Sequence, residues 1–215
     1  MPDLSFEVVD AEVLPFAAVP SLLFELRIEN LEKEPVRSVS LNTQIRISAT
    51  QRHYEAAEQE RLLEVFGAPG RWKDTLRSLL WTHTVLQVPP FSGSAVVEMP
   101  VPCTYDLEVV AAKYFHALEG GEVPLEFLFS GTVFYAGEGG RLQVERISWE
   151  KEAEFRLEVR LWKEMMDHYF PNSAWIRLRR DAFDLLHAYK VRRGLPTWEA
   201  AVEALVRASE QEVER

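Results

Sequence analysis

"LLFELRIEN", residues 22–30, decides how the first half of this chain folds. Leu22, Phe24, Leu26 and Ile28 fall on one face, and Glu25, Arg27 and Glu29 on the other. Strict alternation of this kind predicts a strand with one face buried. "VRSVSLNTQIRI" (36–47) repeats the pattern through Val39, Leu41, Ile45 and Ile47. "EKEP" (32–35) between them reads as a turn, with Pro35 ending the ladder. An earlier strand is expected within residues 4–14. "VPLEFLFSGTVFY" (123–135) is apolar on both faces, as a central strand should be. The glycines of "AGEGGR" (136–141) supply the positive φ of a hairpin turn.

Further strands are expected near 81–88, 94–101, 105–111, 124–136, 141–149 and 153–159. Prolines in "VPP" (88–90) and "MPVP" (99–102) fall at strand ends, where a missing N–H does least harm. In "RLQVERISWE" (141–150) the apolar set is Leu142 and Val144, then Ile147 and Trp149, a change of parity that predicts a bulge around Glu145 and Arg146. Many short strands separated by turns predict a mainly β fold with some helix: a two-sheet antiparallel β-sandwich with a short helical insert and a C-terminal helical extension. The sandwich is expected over 1–159, the insert near 52–80, and the extension, packed on the sandwich, over 160–215.

The insert is read from composition. "RHYEAAEQERLLEVFG" (52–67) is rich in helix formers, with Tyr54, Ala57, Leu62 and Val65 or Phe66 inward and Gly67 as the C-cap. "RWKDTLRSLL" (71–80) predicts a second helix with Trp72, Leu76, Leu79 and Leu80 inward. The extension shows helical spacing three times: Trp162, Met165, Met166 and Tyr169; Ala182, Phe183, Leu186 and Tyr189; Trp198, Ala201, Val202 and Leu205. Gly194 is placed as a C-cap and Thr197 as the next N-cap.

Composition bounds the function. The chain has 215 residues and a net charge of −10, so its body repels phosphate backbones and opposes any wrapping of nucleic acid. A single cysteine, Cys103, excludes an internal disulfide and a multi-cysteine metal site. The N-terminus has no basic-then-apolar leader, and no apolar run approaches the ~20 residues of a membrane helix, so a cytoplasmic bacterial protein with no membrane partner is expected. The five histidines are scattered without ligand spacing, so no metal site or cofactor is expected. Ser92 and Ser94 in "FSGSA" lack a nucleophile elbow, and the Gly-rich stretches lack the Lys-Ser/Thr of a phosphate loop. Cys103 has no basic neighbour in sequence and reads as a buried small hydrophobe. No catalytic residue is assigned, although a site assembled only in the fold could form around His168 and Tyr169 in "DHYFP" (167–171).

One segment stands apart. Between Pro171 and Pro196 six basic residues face two acids. A strand, a helix, a glycine turn and a Thr-capped helix in that order resemble a ribbon-helix-helix DNA-binding module. The resemblance implies a dimer reading DNA with Trp175, Arg177 and Arg179. The competing expectation is that this segment is structural and the Trp175 indole packs against protein.

Longer stretches carry a second resemblance. "RWKDTLRSLLW", "VPPFSG", "PVPCTYDLEVVAAKYFHALEGGEVPLEFLFSGTVFY" and "WIRLRRDAFDLLHAYK" together resemble a bacterial family of unknown function associated with gene clusters for uptake nickel–iron hydrogenases. The resemblance spans nearly the whole chain and implies an accessory or assembly role beside a metalloenzyme. The leading expectation is therefore a non-enzymatic interaction or assembly protein with a protein partner. A DNA-binding dimer and an enzyme with a fold-assembled site are the alternatives.

Overall fold

In the computed structural model, residues 2–32, 34–174 and 176–213 are described, with no side-chain description for Glu138, Glu212 and Val213. The described chain forms eight strands and seven α-helices. In order they are β1 (Leu4–Val13), β2 (Ser21–Asn30), β3 (Val36–Ile47), α1 (Ala56–Arg61), α2 (Leu63–Phe66), α3 (Trp72–Thr75), β4 (Leu79–Val88), β5 (Ser94–Pro102), α4 (Val110–Ala117), β6 (Glu122–Ala136), β7 (Leu142–Arg146), β8 (Glu152–Glu158), α5 (Val159–Tyr169), α6 (Arg180–Arg193) and α7 (Trp198–Val213). Two compact units divide them, Met1–Trp175 and Ile176–Arg215, so that α5 belongs to the first and α6 and α7 to the second.

The first unit is the sandwich that the alternating segments predict. A three-stranded sheet runs β1-β2-β5 and a five-stranded sheet runs β4-β3-β6-β7, with β8 also on β6; every pairing is antiparallel. Phe24, Leu26, Phe127, Phe129 and Val133, the residues that alternation turns inward, are all buried. Phe6 stacks on Phe129 across the layers at 4.3 Å, and Phe24 meets Phe127 edge-on at 5.3 Å. Offset and edge-on pairs of this kind add to the area term.

β6 organises the larger sheet. Residues 125–135 of this 15-residue strand pair with β3 along one edge. The other edge is divided: residues 122–128 pair with β8 and residues 132–136 with β7. Gly131 sits at the division, with φ +138°. A Cβ there would lie 2.0 Å from the Ser40 carbonyl oxygen of β3, so only glycine lets the two backbones approach.

Four sequence expectations are corrected. Residues 105–111 are not a strand. Asp106 closes a turn by accepting from the Glu108 N–H at 2.9 Å, and α4 follows, burying Ala111, Ala112, Tyr114, Phe115 and Ala117 while Val109 and Val110 stay exposed. The helix expected over 71–80 is one turn, Trp72–Thr75, because β4 recruits Leu79 and Leu80 into the ladder beside β3, leaving Leu80 half-exposed. No bulge occurs at Glu145 and Arg146, whose register on β6 is regular. The parity changes because β7 stops at Arg146 and Ser148–Lys151 form a turn. Residues 176–179 lie in no strand, so the ribbon of the DNA-binding resemblance is not formed there.

Two substitutions test this core. Phe129→Ala should cost about 3–5 kcal/mol in chemical denaturation, the loss of a fully packed aromatic. Gly131→Ala forces either strand separation or a strained backbone, and should cost about 3 kcal/mol or more. A change below about 1 kcal/mol for both would mean that β6 is not the central strand.

Candidate functional site

Four loci bring chemically able side chains together: three in the sandwich unit and one in the C-terminal unit.

The first joins the helical insert to the turn before β6. Arg52 and Glu58 form a 2.8 Å ion pair with side chains only 9% and 3% exposed. The Arg52 guanidinium also donates to the carbonyls of Gly120 and Glu122, both at 2.6 Å. Glu58 accepts the Glu119 N–H at 2.8 Å and closes a capping box on α1 through the Glu55 N–H. Below it, the Tyr54 and Tyr114 hydroxyls lie 2.8 Å apart, and Tyr54 donates to the Ala49 carbonyl. Burial pushes the Tyr54 hydroxyl up to about 12, and burial followed by the neighbouring Tyr54 raises Tyr114 further still. A depression over this knot is lined by His53, Glu55, Glu122 and Arg156 among others. Donors and acceptors here mostly satisfy one another, so the arrangement reads as a clamp. Sequence reading missed it because its partners lie some sixty to seventy residues apart.

The second locus is "DHYFP". Tyr169 donates to the Leu14 carbonyl at 2.8 Å and accepts from the Ala17 N–H at 3.0 Å. His168 Nε2 lies 3.2 Å from the Pro15 carbonyl, where its N–H tautomer can donate. Both side chains are thus spent on the β1–β2 connection. This geometry fastens the β1–β2 connection to α5.

The third locus is an apolar recess of about 370 Å³ beside Cys103, walled by Trp81, Phe115 and Trp162, the last two stacked at 5.3 Å. Cys103 is 7% exposed, and its Sγ points to the Val101 carbonyl at 3.4 Å. Burial pushes its thiol from 9.0 up to about 12, partly offset by a backbone hydrogen bond from Leu22. That is the opposite of an activated nucleophile. Among the described residues no group of three or more His, Cys, Asp and Glu side chains is arranged to hold a metal.

The fourth locus is the C-terminal unit. α6 ends on Gly194 in the left-handed conformation, and the Thr197 hydroxyl accepts the Ala200 N–H at 3.1 Å to cap α7. Phe183, His187 and Trp198 gather between the helices, and Lys190 lies over the Trp198 ring at 5.5 Å. Among the unit's described residues only Ala201 is buried. Leu185 is 74% exposed, Ile176 70% and Val191 64%. Phe183, Trp198, Val202 and Leu205, expected inward, are each about two-fifths exposed. Arg177 and Arg179 are exposed, and Arg179 pairs with Asp181 at 3.1 Å. Trp175 lies outside the described residues.

The chain belongs to a family of unknown function, DUF6084, whose model matches residues 1–214. No curated protein matches it. Among solved structures it is similar to the CARDB domain of a Pyrococcus furiosus protein in complex with di-metal ions, at 14% identity and a TM-score of 0.27, covering 73% of this chain and 91% of that one. It is also similar to the β-glucosidase 3B of Thermotoga neapolitana in complex with glycerol, at 14% identity and a TM-score of 0.26, covering 72% of this chain and 17% of that one. Similarity at this level carries no argument about function.

The buried hydroxyls and thiol set a pH dependence. Folded-state values of about 12 for Tyr54 and Cys103 stand above ordinary values of 10.0 and 9.0. The unfolded chain therefore ionises first. Their contribution to stability is complete below about pH 9 and is lost progressively as pH rises toward 12. Absorbance titration should find two of the six tyrosines silent until alkaline unfolding. Iodoacetamide should leave Cys103 unmodified at pH 8 in the native protein and modify it in denaturant. Rapid native alkylation would contradict the burial.

Proposed function

We propose that this member of the DUF6084 family is a non-enzymatic interaction or assembly protein that engages a protein partner through its C-terminal helical hairpin. The observation that supports this reading is the apolar surface of α6 and α7. A hairpin that keeps Ile176, Leu178, Phe183, Leu185 and Val191 in water has not finished its core. Each such side chain gains roughly 1.5–3 kcal/mol when fully covered. Ile176, Leu178 and Phe183 line one recess of this unit, and exposed apolar surface rimmed by charge is a mark of a protein contact. The frame is basic at Arg180, Lys190, Arg192 and Arg193, which suits a partner with an acidic rim. The three sandwich loci support the same reading, since their polar groups are engaged in clamps and staples.

A role serving a nickel–iron hydrogenase system in the bacterial cytoplasm goes with this proposal. Its support is the family resemblance of the sequence, and the partner would then be a component of that enzyme or of its assembly.

DNA binding by a dimer is the second reading. The local excess of basic residues favours it, together with the order helix, left-handed glycine, capped helix. Direct readout would fall to Trp175, Arg177 and Arg179.

One pair of measurements separates the two. Immobilised full-length protein should retain a stoichiometric protein from native extract, and a Phe183→Asp, Leu185→Asp double variant should lose it by about tenfold or more with unchanged far-UV circular dichroism. Duplex DNA titrated at low and moderate salt should show no specific binding. Salt-sensitive duplex binding that disappears with Arg177→Ala and Arg179→Ala, and no protein retained, would replace the assembly reading with the DNA reading.

A further inference from the structure

We propose that the chain forms a closed two-fold dimer in which the β7 strands of two copies pair edge to edge, centred on Gln143. This surface lies in the sandwich unit and does not depend on the C-terminal hairpin.

β7 ends the order β4-β3-β6-β7, so among the described residues one of its long edges carries no strand. The other open edges have neighbours: β4 approaches β5, and β1 approaches β8. No comparable element lies beyond β7. Which backbone groups are free follows from the ladder. Gly137 N–H donates to the Arg141 carbonyl at 2.9 Å, and Ile147 N–H to the Gly131 carbonyl at 3.1 Å. In an antiparallel pair such residues alternate with outward-pointing ones. Residues 141, 143, 145 and 147 therefore turn their N–H and C=O toward β6, and Leu142 and Val144 turn theirs outward.

The side chains separate just as cleanly. Gln143 shares a face with buried Tyr135, whose hydroxyl donates to Gln143 Oε1 at 2.9 Å. Leu142 and Val144 occupy the opposite, outer face and are 65% and 57% exposed. β7 thus presents Leu142, Val144 and Arg146 on the outer face and Gln143 and Glu145 on the other, with Arg141 just before the strand on the Gln143 side.

A second copy is the occupant these residues match. A two-fold axis perpendicular to the sheet keeps each face on its own side, so facing residue numbers must sum to an even number. With Gln143 opposite Gln143, Leu142 faces Val144 of the second copy and Arg141 faces its Glu145, each pair occurring twice. The outward groups of Leu142 and Val144 then form four inter-chain hydrogen bonds. The neighbouring registers fail this test. An axis at Val144 sets Leu142 against Arg146, and an axis at Glu145 sets two carboxylates opposite each other, which is destabilising.

Sedimentation velocity on the full chain over a concentration series tests this. The parent should show a reversible monomer–dimer equilibrium. Val144→Pro removes only an outward N–H on an edge strand, where proline is tolerated, and should weaken dimerisation by about tenfold or more. Its thermal unfolding should match the parent. Arg141→Glu and Glu145→Arg should each weaken the dimer, and the double variant should restore it, because the two pairs are re-formed with charges exchanged. This arm decides if the proline variant does not fold. A parent that stays monomeric at every concentration overturns the proposal. So does a dimer indifferent to both the proline and the single charge changes, since that dimer uses another surface.

Discussion

The contact between the Gly131 backbone and the Ser40 carbonyl governs the larger sheet. Because nothing larger than hydrogen fits there, β6 can lie against β3 through residues 125–135 while its far edge changes partner. β8 takes one half and β7 the other, and the chain between them returns hydrogen bonds to β6 at Phe129 and Gly131. The division keeps β7 short, and it also puts β7 beyond β6 with nothing further to cover it. The core follows from the same strand, since Phe127, Phe129, Val133 and Tyr135 form its inward row. Phe129 and Phe127 then meet Phe6 and Phe24 from the opposite sheet.

Helices of the first unit bury apolar side chains such as Phe66, Phe115, Trp162 and Met165 in the core, and polar clamps fix where some of their ends lie. Arg52 gathers two carbonyls from the turn before β6 and one carboxylate from α1, which fixes the insert relative to the strand it precedes in space. Its Nε has no hydrogen-bond partner among the described residues, and neither has the buried Thr43 hydroxyl in the inter-sheet core. Such groups carry a desolvation cost of about 1–3 kcal/mol each, so the clamp serves geometry more than net stability. Tyr169 does the same work on the opposite side of the chain, holding the residues between β1 and β2 against α5.

The strands were legible in the sequence because period-two alternation is a local property: residues 22–30 and 36–47 show it, and each lies in a strand. Where the reading erred, a non-local partner or a local turn prevailed. Val109 and Val110 suggested a strand, but the Asp106 turn redirected the chain and the buried set became helical, Ala111, Tyr114, Phe115 and Leu118. Leu79 and Leu80 read as the end of a helix because their pairing partners, Ile47 and Arg46, are over thirty residues away. Arg52 and Glu58 are close in sequence, but the backbone groups they hold at residues 119, 120 and 122 lie over sixty residues away, so the clamp had no local signature. His168 and Tyr169 adjoin in sequence, yet only the fold could show that the groups facing them are backbone carbonyls and an amide of the β1–β2 connection.

Exposed edge strands invite open-ended association, and the chain handles each edge differently. β8 carries Glu152, Glu154 and Glu158, and β1 is interrupted by a register shift between Val8 and Asp10. Charge and irregularity of this kind discourage pairing with foreign strands. On β7 the outward positions are Leu142, Val144 and Arg146, so charge stands only at the strand's end and the other two positions are apolar. Its protection is of another kind. A two-fold pairing is isologous: each copy offers the same edge, and once the edges meet neither remains to recruit a third. The short length of β7 helps, since five residues supply few outward groups for any longer, mismatched partner. An edge that closes on its own copy can therefore stay apolar without seeding a fibre. A charged outer face would serve solubility equally well but would forbid the closure.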